Sequence, residues 1–503
     1  MSDQVSIQNI LITPSTSIEP RKKTVEIPVE ILELIINAAY ESHLRKDLDR
    51  WEPVSLDSLA HSSTFPTALS RVCTLWDAVL APHPEYWTRI VVYLNERDHF
   101  RRLRLALERS QPNHISITIL HSSGSSSLDG DEERVVLERV LSYLWSANHT
   151  RARSLSVRAT SSASFASLPA EMVQFWPGLR ELNFESQRWE TTSTSDRETS
   201  LLPPRLVELA GTWKIAIENL TDLSLVGHMF VQLSRSSHGT NALRNAPLDS
   251  LAITRLRGSD GGKSGGFTFH ELVRACSFTR VRKLALVDVD VPFEVDGQFT
   301  HWIHHNPLRR DAEFVFDGVA NLTLRAFQQH LRRYTIDGGF RSQTFRNMQT
   351  YFGMFRTWGK VCDVEVTEVW GVESSDALAC FFGGVDSVEL RVIDCPGLTD
   401  VSLESIGPVI DMYTLEDTPI PPLDSMTNLV IVDCPNWTVE GLKGLVTRRK
   451  AADVSIQVEK GDHIEVPIAE IGYVEVRGKC PSVSNEDREW FAENGVVLVV
   501  DSP

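Results

Sequence analysis

The sequence predicts an α/β protein in two parts: a small all-helical module near the N-terminus, then a long, irregular solenoid of strand-bearing repeats. Three observations carry this. Two strongly apolar segments of helical period stand between residues 27 and 87. One short pattern recurs over most of the remaining chain: apolar, two others, apolar, one other, apolar. At 503 residues the chain exceeds what one compact core supports, which leaves several domains or a quasi-linear array.

Residues 1–23 are polar, carry Pro14 and Pro20 and end in Arg21-Lys22-Lys23, so a disordered tail is expected. The basic triplet is too short to read as more than a solvated run. The helical module is expected over 24–95. Its first segment, Ile27 to Ile36, puts Pro28 where a first helical turn tolerates it, because the missing N–H has no partner there. Glu30, Glu33 and Asn37 fall on one narrow stripe, so the rest of that helix needs cover. In the second segment Leu69, Val72, Cys73, Trp76 and Leu80 recur at helical spacing as one apolar face, followed by Pro84-Glu85-Tyr86-Trp87. Two helices this apolar cannot bury themselves in so few residues, which predicts a protein partner.

From residue 96 to 503 the array is expected. Ahead of its recurring units the chain reads as strand, helix, strand: Trp87 to Val92, Asp98 to Ser110, Ile115 to Ile119. The recurring units follow as Ala152/Leu155/Val157, Leu179/Leu182/Phe184, Leu220/Leu223/Leu225, Leu248/Leu251/Ile253 and Val281/Leu284/Leu286. They continue as Val319/Leu322/Leu324, Val361/Val364/Val366, Val385/Val388/Leu390, Met426/Leu429/Ile431, Ala451/Val454/Ile456 and Ile471/Val474/Val476. The last two residues of each unit stand two apart, so on a strand both face the same way, and stacking on a like neighbour buries them. Spacings of roughly twenty to forty residues make the array irregular. The Ser/Thr-rich stretches, such as Thr191 to Ser200, are expected to loop out between units.

The N-terminal segments resemble the F-box: Ile27-Pro28-Val29-Glu30-Ile31, then Val72-Cys73-Thr74-Leu75-Trp76, then Pro84-Glu85-Tyr86-Trp87. Ile27 stands where the family has Leu, Tyr86 precedes the closing Trp87, and an insertion near 40–66 separates the halves. The later units are similar to leucine-rich repeats of the cysteine-containing class. The best match is Leu429-Val430-Ile431-Val432-Asp433-Cys434-Pro435 with Thr438 to Leu442 and Leu445. Cys395-Pro396-Gly397-Leu398 repeats it and sets that strand two residues later than Val385/Val388/Leu390 would; Lys479-Cys480-Pro481 echoes it one residue out of phase. The resemblance implies a small all-α F-box module followed by an irregular leucine-rich-repeat solenoid, a horseshoe. It implies the substrate-recognition subunit of a cullin-based ubiquitin ligase of the SCF type, in cytoplasm or nucleus. Ile27, Pro28, Ile31, Leu32, Val72, Cys73, Trp76 and Leu80 would then meet a Skp-type adaptor, which joins the chain to the cullin scaffold. A protein target would meet the sheet residues between the inward ones: Glu181, Asn183, Asp222, Arg282, Lys283, Asn321, Asp363, Glu365, Glu389 and Asn428. The later units are the more acidic, which favours a target with a basic segment. The alternative is a non-catalytic repeat scaffold with no part in ubiquitylation.

Other chemistry fits less well. Lys+Arg 50 against Asp+Glu 67 gives net charge −17, which opposes nucleic acid and acidic membranes. No secretory signal or bilayer-length apolar run is read. Seven cysteines without a Cys-x-x-Cys pair suit reduced core thiols better than disulfides or metal. Gly258-Ser259-Asp260-Gly261-Gly262-Lys263-Ser264 approaches a phosphate loop, but Arg257 occupies the place of its first glycine. His301, His304 and His305 have a metal-like spacing without a nearby carboxylate. No catalytic residue and no cofactor is expected.

Overall fold

In a computed structural model of the chain, the recurring pattern becomes parallel strands laid side by side. The structure describes residues 27–48, 65–121, 128–165, 176–186, 219–257, 269–291, 312–323, 340–347, 364–406, 423–457 and 463–501, apart from short gaps inside some of these ranges.

The strands are β1 (Arg89–Tyr93), β2 (Ile115–Leu120), β3 (Ala152–Ala159), β4 (Glu181–Ser186), β5 (Asp222–Val226), β6 (Ser250–Arg257), β7 (Lys283–Asp290) and β8 (Glu313–Asp317). They continue as β9 (Phe340–Arg346), β10 (Val364–Trp370), β11 (Glu389–Ile393), β12 (Asn428–Val432), β13 (Asp453–Gln457), β14 (His463–Pro467), β15 (Tyr473–Arg477) and β16 (Val497–Asp501). Fourteen form one parallel sheet in chain order, from β1 to β12 and on through β15 and β16. β13 and β14 pair antiparallel as a separate hairpin. With the helices this is an α/β architecture.

Register explains the core. Across the sheet, Leu155, Leu182, Leu223, Leu251, Leu284 and Phe314 stand opposite one another, and the row continues through Gln343, Thr367, Leu390, Leu429 and Val474. Two residues on, Leu225, Ile253, Leu286, Phe316, Phe345, Val369, Val392, Ile431 and Val476 make a second buried row. Because the side-chain period is two, a single register holds both rows inside and leaves the intervening residues on the opposite face.

Just past the second row, eight consecutive strands of this sheet place a residue of positive φ at one register position. These are Arg255, Asp288, Gly318, Asn347, Gly371, Asp394, Asp433 and Gly478. Seven are Gly, Asn or Asp, the residues that reach the left-handed region at least cost. At Gly478 a second constraint applies: a Cβ there would come within 2.3 Å of Asp433 Oδ1, which accepts the Lys479 N–H at 2.9 Å.

The pattern misplaces four units. Val319 follows β8 rather than opening a strand; the inward residues are Phe314 and Phe316, and Leu322 and Leu324 lie outside the described residues. In β10 the inward pair is Thr367 and Val369, three residues beyond Val364 and Val366, because a threonine occupies an apolar place. In β11 it is Leu390 and Val392, two residues on, as Cys395 indicates, and Val388 is exposed. Val454 and Ile456 belong to the hairpin, where the same spacing arises from ordinary strand alternation. β9 and β16 carry no predicted unit. β1 is the first strand of the sheet, so residues 89–93 belong to it and not to the helical module expected over 24–95.

Candidate docking surfaces

The N-terminal module consists of α1 (Val29–Leu48), α2 (Thr67–Ser70), α3 (Thr74–Leu80) and a 3-10 turn at Pro84–Trp87. Its own core is small: Leu32, Ile36, Val79, Leu80, Tyr86 and Trp87, with Tyr40, Phe65, Leu69 and Trp76 packed against it. Leu32 and Ile36, one turn apart, turn one narrow face of α1 inward. The other sides of its first turns are also apolar, so Val29, Ile31, Leu34 and Ile35 stay in solvent, Leu34 at 64% exposure.

The second predicted helix is broken. α2 ends at Arg71 after Ser70 turns its hydroxyl onto Thr67 O at 3.0 Å, and α3 restarts from an extended Cys73. Leu69, Val72 and Cys73 therefore share no helical face with Trp76 and Leu80. Instead Val72 stands on the connecting turn at 60% exposure, with Cys73 and Leu75 exposed beside it.

Of the residues expected to meet an adaptor, Ile27, Pro28, Ile31, Val72 and Cys73 are exposed and Trp76 is half-buried. Leu32 and Leu80, at 1% and 0% exposure, are corrections: both complete the module's own core and have no free surface to offer. Val29, Leu34, Ile35 and Leu75, not among the residues expected, are exposed as well. The polar stripe of α1 shows that the helix is apolar around most of its girth, but not which apolar strip faces inward.

The module is joined firmly to the sheet. α4 (His99–Arg109), between β1 and β2, ends in Arg109, which holds both carboxylate oxygens of Asp77 at 2.6 and 2.8 Å. The same guanidinium lies 4.5 Å over the Trp87 ring, whose Nε1 donates to Leu80 O at 3.0 Å. The hydrogen bonds from Arg109 hold the Asp77 carboxyl below its usual range.

The second surface is the sheet face opposite the buried rows. Glu181, Asp222, Lys283, Glu389 and Asn428 lie in one register row, with Ser250, Glu313, Ser342, Val366 and Tyr473 completing it between and beyond them. Asn183 stands in the next row. Arg282 precedes β7 and holds Asp249 at 3.0 and 2.8 Å. Glu365 is exposed at the start of β10. Asn321 and Asp363 lie outside the described residues, as do Gly258 to Ser264 and His301, His304 and His305. Glu313, Glu368, Arg391 and Glu475, not among the residues expected, lie on the same face. Glu313 salt-bridges Lys283 at 3.4 Å and Arg341 at 3.3 Å, whereas Arg391 links Glu368 at 3.0 Å to Glu389 at 2.5 Å. Much of the acidity of the later strands is therefore held in ion pairs.

The chain matches no protein-family model and no curated protein.

Two of the turn cysteines, Cys395 and Cys434, are buried structural groups. Cys395 Sγ accepts the Val372 N–H at 3.4 Å and lies 3.2 Å from Ile393 O, while Cys434 Sγ accepts the Cys395 N–H at 3.4 Å. Each thiol thus bridges adjacent turns, a place that suits a small, weakly polar side chain. Burial pushes the Cys276 thiol up to about 12, far from reactivity. Among the described residues no cluster of His, Cys, Asp or Glu could hold a metal ion, and no helix is long and apolar enough to cross a membrane.

Proposed function

We propose that the chain is an F-box protein with C-terminal leucine-rich repeats, the substrate-recognition subunit of a cullin-based ubiquitin ligase. The observation that carries this reading is an apolar surface left open on the helical module: Ile31, Leu34 and Ile35 on α1, Val72 and Leu75 at the α2–α3 turn. A module whose own core is complete leaves such side chains in water at a cost, and exposed apolar side chains gathered on one small module are what a partner covers. The parallel sheet in chain order, the positive-φ residue at one register position in eight of its strands and the turn cysteines support the repeat half of the reading.

The mechanism is tethering. The module docks on a Skp-type adaptor, the sheet holds a protein target, and the target's lysines are raised in local concentration near a ubiquitin-loaded enzyme carried elsewhere in the assembly. Arg109 with Asp77 and Trp87 fixes one docking surface to the other. Co-expression with a Skp-type adaptor and a cullin tests the reading. A stoichiometric complex through the module supports it; a folded chain that binds no adaptor refutes it, and adaptor binding without cullin recruitment favours a scaffold.

A further inference from the structure

One row of the exposed sheet face turns apolar for three strands. Just before the positive-φ position, Trp370 on β10, Ile393 on β11 and Val432 on β12 stand opposite one another and are partly exposed, about 4.8 Å from strand to strand. The same row is charged on either side of them: Asp317 and Arg346 come before, Arg477 and Asp501 after. A solvated strand face is ordinarily polar, so apolar side chains in one row of three neighbouring strands form a strip and not scattered exposures.

The charges that border the strip are unequally met. Its guanidiniums are engaged: Arg391 bridges Glu368 and Glu389, Arg477 bonds Glu475 and lies 3.8 Å from Asp501, and Arg346 stacks 4.7 Å over the Trp370 ring. Asp394 and Asp433, which directly follow Ile393 and Val432, pair with no cation among the described residues; Asp433 Oδ1 accepts the Lys479 N–H at 2.9 Å. We propose that the protein target docks here through a segment that lays aliphatic or aromatic side chains on Trp370, Ile393 and Val432 and sets Lys or Arg beside them on Asp394 and Asp433. This deepens the target-binding half of the proposed function and rests on it. Charge complementarity names the occupant: a neutral or acidic segment would cover the strip and leave two neighbouring carboxylates without a counter-ion, whereas a basic one neutralises both. The strip lies many strands away from β1, so a target held there leaves the helical module free for its own partner.

The test pans a displayed library of random peptides on the full chain after depletion on Ile393→Lys/Val432→Lys, which removes peptides that bind elsewhere. The survivors are then measured against Asp394→Asn/Asp433→Asn, a variant that loses both charges but keeps a residue type that tolerates positive φ and an oxygen for the Lys479 N–H. Unchanged thermal midpoints show that both variants are folded. Survivors that combine apolar residues with Lys or Arg, bind the Asn variant at least tenfold more weakly and lose affinity with added salt support the proposal. Depletion that leaves no binder, survivors without basic residues, or undiminished affinity for the Asn variant overturns it. Adaptor binding, measured on the same proteins, reports separately on the helical module.

Discussion

On the proposed reading the helical module separates side chains that would meet an adaptor from side chains that hold the module together, and paired truncations test the separation. Full burial of a Val or Leu side chain is worth about 1.5–3 kcal/mol. Leu34 and Val72 still expose 64% and 60% of their surface, so a partner that covers them gains about 1–2 kcal/mol from each. Truncation to alanine leaves only Cβ to be covered, so Leu34→Ala/Val72→Ala should weaken adaptor binding by about 2–3 kcal/mol, roughly 30- to 150-fold. Because neither side chain is packed in the free chain, unfolding stability should change by no more than about 0.5 kcal/mol at each site. Leu80→Ala should do the reverse: its side chain has no exposed surface, and emptying that space costs about 2–5 kcal/mol of module stability. Calorimetric titration with purified adaptor, run beside thermal unfolding by circular dichroism, resolves the two classes. A folded Leu34/Val72 variant with undiminished affinity would refute the docking assignment.

Trp76→Ala should lower adaptor affinity at least tenfold, since a half-buried aromatic anchor typically carries about 2–4 kcal/mol; helical content measured alongside shows how much of the loss is unfolding. Arg449 is buried and donates to the carbonyls of Ile406, Leu423, Met426 and Ala469, so Arg449→Met should cost about 3 kcal/mol or more in denaturant unfolding; a neutral result would show those carbonyls find other donors. Gln343 Nε2 donates to Thr367 Oγ1 at 3.0 Å within the inner row: Thr367→Val alone should cost about 1–3 kcal/mol by stranding the amide, and Gln343→Leu with it should recover most of the loss in a double-mutant cycle. Burial raises the Glu133 carboxyl, but hydrogen bonds from His121, Ser164 and the Thr160 N–H outweigh it and hold the group below its ordinary value. A lowered folded value gives stability that is fully present above the unfolded value of about 4.3 and is lost as pH falls through the folded one. The stability gap between wild type and Glu133→Gln, read from urea unfolding at pH 7 and pH 3, should therefore shrink in acid.

The places where the sequence was readable, and where it was not, follow from what each signal measures. Apolar alternation reports that a strand has one dry face, so it located β3 to β7, β12 and β15, whose inward pairs are hydrophobic throughout. It failed in β9 and β10, where Gln343 and Thr367 satisfy each other inside the core, and it was blurred in β8 and β16 by the apolar runs Phe314-Val315-Phe316 and Val497 to Val500. The hairpin strand β13 shows the converse: Val454 and Ile456 meet the pattern without joining the parallel sheet. On α1 the same blindness separates Ile31 from Leu32, adjacent apolar residues of which one is open and one sealed, because composition cannot say which apolar strip a neighbour will claim. A second signal was present and independent of hydrophobicity. Two residues beyond the second inward position stand Asp288, Gly318, Asn347, Gly371, Asp394, Asp433 and Gly478, each held at positive φ. A backbone conformation that few residue types tolerate marks one register position whether or not the core residue before it is apolar. Read together with the apolar pairs, those seven positions would have set the register of β8, β9, β10 and β11, and with it would have placed Glu313, Glu368 and Arg391 on the exposed face.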